Sequence, residues 1–201
     1  FDYNIREEYD TFYGDAPDDK IVRVIVASGV LITSTSVLTP ALVAGVWPIG
    51  VPITVENNGI VAGRGGRGAG FPHPDPFLEA ENGGVAIDGA GHPMTLINNN
   101  IVAGGGGGGG TWKFSGGGGG APYGMRGAAG TSFTSAENDG GRLVGGLGSQ
   151  RTPPDGGNGG KGGDIGQNGG VGSIGDPQSA AGLAGVAIIN GSNITIINNG
   201  Q

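Results

Sequence analysis

The chain of 201 residues contains no cysteine. Disulfides, zinc–thiolate sites and thiol chemistry are therefore excluded, with no implication for compartment. Positive charge is scarce: 10 Lys and Arg face 17 Asp and Glu, a net charge of −7. Such a chain is a poor partner for nucleic acid or an anionic membrane. No apolar stretch approaches the roughly 20 residues of a helical membrane span, so no membrane insertion is expected. No capped, helix-length apolar stripe is visible, and essentially no α-helix is expected. The two histidines, His73 and His92, lie far apart. There is no HExxH, no Ser-His-Asp set and no metal-ligand spacing. "GGNGGKGG" lacks the Ser or Thr that follows the lysine of a phosphate-binding loop. Asp and Glu form no evident pair. Neither an enzyme nor a cofactor nor a metal is expected, although two carboxylates facing across a groove would make a glycan hydrolase.

What the chain has instead is glycine, 49 residues of it, beside 36% hydrophobic residues. The apolar residues fall in short runs, which argues for a folded object over a linker. Residues 1–20 carry seven acidic residues against Arg6 and Lys20. They read as a solvated tether, or as the connection to a larger polypeptide of which this is a piece. Residues 21–62 are rich in Val, Ile and Thr and broken by Gly and Pro, which is strand composition. Strands are expected near 21–27, 29–33 and 51–56.

A repeat follows. "PITVENNGIVAG" (52–63) aligns without gaps to "PMTLINNNIVAG" (93–104), and "NITIINNG" (193–200) is a third copy. The unit is a strand, an Asn-rich turn, a second strand and then glycine. Asn and Gly tolerate positive φ, which gives the turn a mechanism. The repeats are expected to form a β-strand base.

Glycine recurs at every third position from Gly157 to Gly175, and again at Gly124, Gly127 and Gly130. Disorder needs no such phase. Collagen needs abundant proline, absent from this tract. A calcium nonapeptide repeat fits 159–167 only imperfectly, because Gly166 stands at its apolar position. A polyproline-II-like rod has three residues per turn and no internal hydrogen bonds, so its N–H and C=O groups need partners outside it. Rods packed side by side supply one another, provided the contacting faces carry no side chains. One glycine in three leaves one bare face, and pure glycine leaves all faces bare. "GGGGGGG" (104–110) and "GGGGG" (116–120) should therefore lie centrally. Asn158, Lys161 and Asp164 should face solvent, as should Arg64 and Arg67. The expected fold is all-β and irregular, with short strands as a base and a sandwich of packed polyglycine-II helices over residues 63–201, joined by exposed loops.

If the rods alternate up and down, their far end collects 71–82, 111–115 and 149–155. That end offers Phe71, His73, Phe77, Trp112, Lys113, Phe114, Arg151 and Pro153. Aromatic and Arg side chains on rigidly held loops suit recognition. The plainer reading of Phe71 and Phe77 is an apolar lid over the rods.

A strand–"NNG"–strand repeat running into "GRGGRGAG" or "GGGGGGG" resembles the receptor-binding ends of tailed-bacteriophage tail fibres, over roughly residues 21–201. It looks like the glycine-rich C-terminal region of central tail fibre proteins. The adhesins capping long tail fibres of T-even-like phages share its design. The resemblance implies an extracellular virion protein at the distal tip of a tail fibre. Its partners would be the rest of the fibre and a bacterial outer-membrane protein or surface glycan. A homotrimer and a monomer seated on a trimer both suit a fibre tip. Rival expectations are an ice-binding protein, against which the charged and bulky residues speak, and a structural fibre spacer.

Overall fold

The computed structural model describes residues 1–14, 20–70, 78–111, 115–127, 138–150, 157–172 and 180–199. It contains eleven short strands and one helix among them: β1 (Tyr3–Asn4), α1 (Ile5–Tyr13), β2 (Val22–Val26), β3 (Leu31–Ile32), β4 (Leu42–Val43), β5 (Ile53–Asn57), β6 (Ile60–Ala62), β7 (Ile87–Asp88), β8 (Met94–Asn98), β9 (Ile101–Ala103), β10 (Ile188–Ile189) and β11 (Ile194–Asn198). The strands form three sheets ordered β1-β4-β7-β10, β11-β8-β5-β2 and β3-β6-β9. Every pairing within them is parallel.

The chain visits the three sheets in rotation, so the base is a parallel β-solenoid. Its coils are β1–β3, β4–β6, β7–β9 and the incomplete β10–β11. Each coil covers the interior of the one before it, as solenoid repeats must. The registers stack Ile53 on Met94 on Ile194, and Val55 on Leu96 on Ile196. In β5 and β8 alternate residues are buried, as the two-residue strand period requires. The core holds Leu42, Trp47, Ile53, Val55, Val61, Ile87, Met94 and Leu96.

The Asn-rich turns are corners between sheets rather than hairpin turns. Their asparagines do not use positive φ, which among described non-glycine residues is confined to Asp2, Ala90, Tyr123 and Asn190. They use their side chains. Asn57 Nδ2 donates to Asn98 Oδ1 at 2.8 Å, and Asn98 Nδ2 to Asn198 Oδ1 at 2.9 Å. A second ladder runs from Asn199 to Asn99 to Asn58 at 3.0 and 2.8 Å. The first ladder lets the buried Asn57 and Asn98 amides satisfy each other away from water, while the second is exposed.

Residues 1–13 depart from the expected tether. Tyr3 and Asn4 pair with Leu42 and Val43. Asn4 caps α1 by accepting from the Arg6 and Glu7 N–H groups, and Gly14 closes it at φ 77°. Ile5 is buried in the core. The Arg6 guanidinium lies 5.2 Å from the Trp47 ring centroid, and Tyr9 meets that ring edge-on at 5.4 Å. Gly45 permits this docking twice over: its φ is 82°, and a Cβ there would lie 2.4 Å from the Arg6 Cβ.

Candidate functional site

Glycine-rich rods grow out of the solenoid where the β6 and β9 strands end. Among the described residues they run over 63–70, 78–84, 104–111, 115–121, 123–127, 138–141, 144–150, 157–164, 167–172 and 180–186. Hydrogen bonding between them repeats every third residue. Gly66 and Ala69 donate to Gly106 and Gly109, and Gly65 and Gly68 to Pro122 and Met125. This is the threefold period expected of polyglycine-II packing.

The rod 104–111 shows the consequence in full. Gly105 and Gly108 donate to Gly84 and Glu81. Gly106 and Gly109 donate to Ala121 and Gly118. Gly107 and Gly110 donate to Gln167 and Gly170. Its carbonyls accept in the other three directions, from rods 63–70, 157–164 and 180–186. Six named rods thus surround it. Rod 115–121 is surrounded likewise by 63–70, 104–111, 123–127, 138–141, 144–150 and 157–164. The two pure-glycine runs are the two centres of the lattice, as their bare faces require.

Glycine is needed here for close approach, not for φ. Of the described glycines in the rods and the turns between them, only Gly166, in the turn 164–167, has a positive φ. A Cβ on Gly107 would lie 1.9 Å from the Gly182 carbonyl oxygen, and one on Gly118 1.9 Å from that of Gly146. The long side chains of the rods lie on outer faces, and only small ones such as Ala69 and Ala121 are buried. Asn158 and Lys161 are exposed, and Lys161 Nζ pairs with Asp164 Oδ1 one turn on at 2.8 Å. That hydrogen bond, with the Gly145 N–H, holds the Asp164 carboxyl below its ordinary range. Arg64 and Arg67 are half-buried rather than freely solvated. Arg64 lies over the Tyr123 ring at 5.9 Å, and Arg67 pairs with Glu81 at 3.2 Å.

The rods alternate in direction, which collects their far ends in one layer. There Gly70 and Leu78 exchange backbone hydrogen bonds of 3.0 Å, and the Thr111 hydroxyl donates to the Ser115 carbonyl. The Ser149 Oγ accepts from the Gly116 N–H at 2.8 Å, and its own N–H donates to the Gly116 carbonyl at 2.9 Å. Thr111, Ser115 and Ser149 are fully buried. They form a collar of satisfied hydroxyls within two residues of the connecting segments. The layer also contains Gly127, which donates to Gly117, and Gly172, which adjoins Thr111.

The sequence-derived site residues Phe71, His73, Phe77, Trp112, Lys113, Phe114, Arg151 and Pro153 lie outside the described residues. Described instead are the rod ends that bound their segments, 70 and 78, 111 and 115, 150 and 157. The same layer holds the ends bounding 128–137 and 173–179, which sequence reasoning had not assigned to it. The signal was the strict alternation of rods: each long non-glycine interruption marks a turn-round at the same end. His92, by contrast, is in the base, its Nε2 2.9 Å from the Val51 carbonyl oxygen. Among the described residues no three His, Cys, Asp or Glu side chains group closely enough to hold a metal ion. No helix among them is long and apolar enough to cross a membrane.

A family model described as "Phage tail fibre adhesin Gp38" matches residues 1–201. The chain belongs to the Gp38 family of phage tail fibre adhesins. It is thereby a virion component, at the extracellular tip of a tail fibre. No curated protein sequence matches it. Among solved structures it is similar to the gp37-gp38 adhesin tip complex of the bacteriophage S16 long tail fiber, with a TM-score of 0.64 and 23% identity over 98% of this chain and 75% of that one. At that identity the likeness concerns the fold, which among the described residues is one of short strands with a single short helix.

Proposed function

We propose that this Gp38-family adhesin recognises a protein of the bacterial outer membrane through the segments that join its rods at the end remote from the solenoid. The observation that carries the reading is the single hydrogen-bonded layer of rod ends. The described rod ends that bound 71–77, 112–114, 128–137, 151–156 and 173–179 lie on one side of a cross-linked lattice. A stiff support lowers the entropic cost of presenting loops. Trp112 and Phe114 supply large apolar anchors, and Phe71, His73, Phe77, Lys113, Arg151 and Pro153 the surrounding contacts. The protein works by binding alone, without catalysis or cofactor. Residues 1–20 connect it to the rest of the fibre, where it would meet a partner as gp38 meets gp37 in the S16 adhesin tip complex.

The test is binding of the fluorescently labelled protein to a panel of Gram-negative strains, intact and protease-shaved, beside a Trp112→Ala/Phe114→Ala variant. The expected result is strain-selective binding, abolished by shaving and by the double substitution. Binding that survives shaving would move the target to surface glycan. Binding by the variant at parental strength would overturn the assignment of residues 112–114.

A further inference from the structure

The chain contains six Asn-Gly bonds, after Asn58, Asn82, Asn158, Asn168, Asn190 and Asn199. Such a bond is prone to spontaneous loss of the side-chain amide. Glycine has no Cβ to shield its nitrogen, and that nitrogen can attack the Cγ of the asparagine before it. The attack requires a nitrogen free of other bonds. Gly83, Gly159 and Gly169 are rod residues, and their N–H groups donate to the carbonyls of Leu183, Ser149 and Gly182 at 2.8, 2.9 and 2.9 Å. Gly59 donates to Asn57 Oδ1 at 3.1 Å. Gly200 lies outside the described residues. The Gly191 N–H meets no acceptor among the described residues. Asn82, Asn158, Asn168 and Asn190 are all exposed, so access to water does not separate them. The state of the following N–H does.

The cause is a single residue. At other corners of the solenoid a side chain takes up the N–H two residues on. Asn57 accepts from Gly59, Asp88 Oδ1 from Ala90 at 2.8 Å, and Asn98 Oδ1 from Asn100 at 3.3 Å. Ile189 pairs in register with Asp88, which sets Gly191 opposite Ala90. Isoleucine has no acceptor to offer. Stacking does not supply one either: β10 lies against β7, yet Ala90 still finds its acceptor within its own coil. Asn190 itself has φ 50°, and its Nδ2 donates to Asp88 Oδ1 at 2.8 Å.

We propose that Asn190 is a deamidation site of the folded protein, and that hydrogen bonding in the rods and corners protects the Asn-Gly bonds at Asn58, Asn82, Asn158 and Asn168. Hydroxide removes the Gly191 N–H proton, and the nitrogen bonds to Asn190 Cγ. The Cγ–Nδ2 bond breaks and ammonia leaves, giving a five-membered succinimide. Water then opens one of its two carbonyls, giving aspartate or isoaspartate. Either product replaces the amide donor beside Asp88 with a second carboxylate. The hydrogen bond between β10 and β7 at that corner is lost, and like charges face each other there. Isoaspartate also lengthens the main chain at the corner.

The test incubates the whole chain in mildly alkaline buffer and reads deamidation bond by bond through peptide mapping by mass spectrometry, beside a sample in denaturant. Unfolded, the Asn-Gly bonds should react at comparable rates. Folded, Asn190 should react at least about tenfold faster than Asn58, Asn82, Asn158 and Asn168, because their glycine N–H groups are released only by local opening. Ile189→Asn sets an acceptor two residues before Gly191, in the manner of Asn57, and should slow the reaction at Asn190 by a similar factor. Hydrogen exchange of the parent gives a reading that needs no variant: the Gly191 amide should exchange faster than those of Gly59, Gly83, Gly159 and Gly169. Equal rates at the five asparagines of the folded chain would overturn the proposal. So would an unchanged rate at Asn190 in folded Ile189→Asn, or a Gly191 amide as slow to exchange as those of the rods.

Discussion

Gly107→Ala tests the physical basis of the lattice. Gly107 lies in rod 104–111, with bonded neighbours on every side. The new Cβ would lie 1.9 Å from the Gly182 carbonyl oxygen, where real Cβ atoms keep at least 3.0 Å. Rods 104–111 and 180–186 would have to part by about 1.1 Å, from 3.0 − 1.9. The bonds Gly182 to Gly108 and Gly185 to Gly105, both 2.8 Å, would be pulled beyond hydrogen-bonding range. Two lost bonds cost about 2 kcal/mol, and overpacking adds about 1–3 kcal/mol. The stiffer unfolded chain returns about 0.4–1 kcal/mol. The net loss is about 2–5 kcal/mol, a fall in Tm of roughly 5–20 °C for a chain of this size. Gly170→Ala is the control. Its nearest atoms would be the Lys161 oxygen and nitrogen at 3.3 and 3.4 Å, and its φ is not positive. It should melt within about 2 °C of the parent. Differential scanning calorimetry of the two variants decides. Equal melting temperatures would refute the close-approach argument and return the glycines to a role as flexible chain.

Asn98→Ala breaks the buried ladder at its middle and removes an acceptor of the Asn57 amide and of the Asn100 N–H. It should cost about 2–4 kcal/mol by urea denaturation. Asn199→Ala, at an exposed ladder end, should cost less than about 0.5 kcal/mol. Ile5→Ala empties the core position that the first residue of α1 fills and should cost about 2–5 kcal/mol, lowering the urea midpoint. Asp164 has a folded pKa below its ordinary value of 3.8, chiefly through the Lys161 hydrogen bond. Its stabilisation is therefore complete above that ordinary value and lost as pH falls through the lower folded one. Tm measured from pH 7 to pH 3 should fall less steeply in Asp164→Asn than in the parent.

The sequence by itself determined the lattice. A three-residue glycine period names the rod, and the number of bare faces ranks each rod by depth. The runs 104–110 and 116–120 therefore had to be central, because hydrogen bonding in six directions leaves no room for a Cβ. The 41-residue repeat likewise marked the strands of the base. The N-terminal helix was legible but overlooked. Ile5, Tyr9, Phe12 and Tyr13 fall at helical spacing, between Asn4 with Glu7 three residues on and Gly14; the surrounding acidic residues obscured that pattern. Only the tertiary structure decided that the repeats close into a solenoid. Short strands of one pattern serve hairpins and coils equally well, and pairing is chosen by what stacks above and below. The same holds for the asparagines. Locally they suit a turn, and only the coil above turns them into a ladder of buried amides. Partnership across coils and rods is non-local, so no window of sequence contains it. The rod ends could be assigned to one layer only once every rod had found its neighbours.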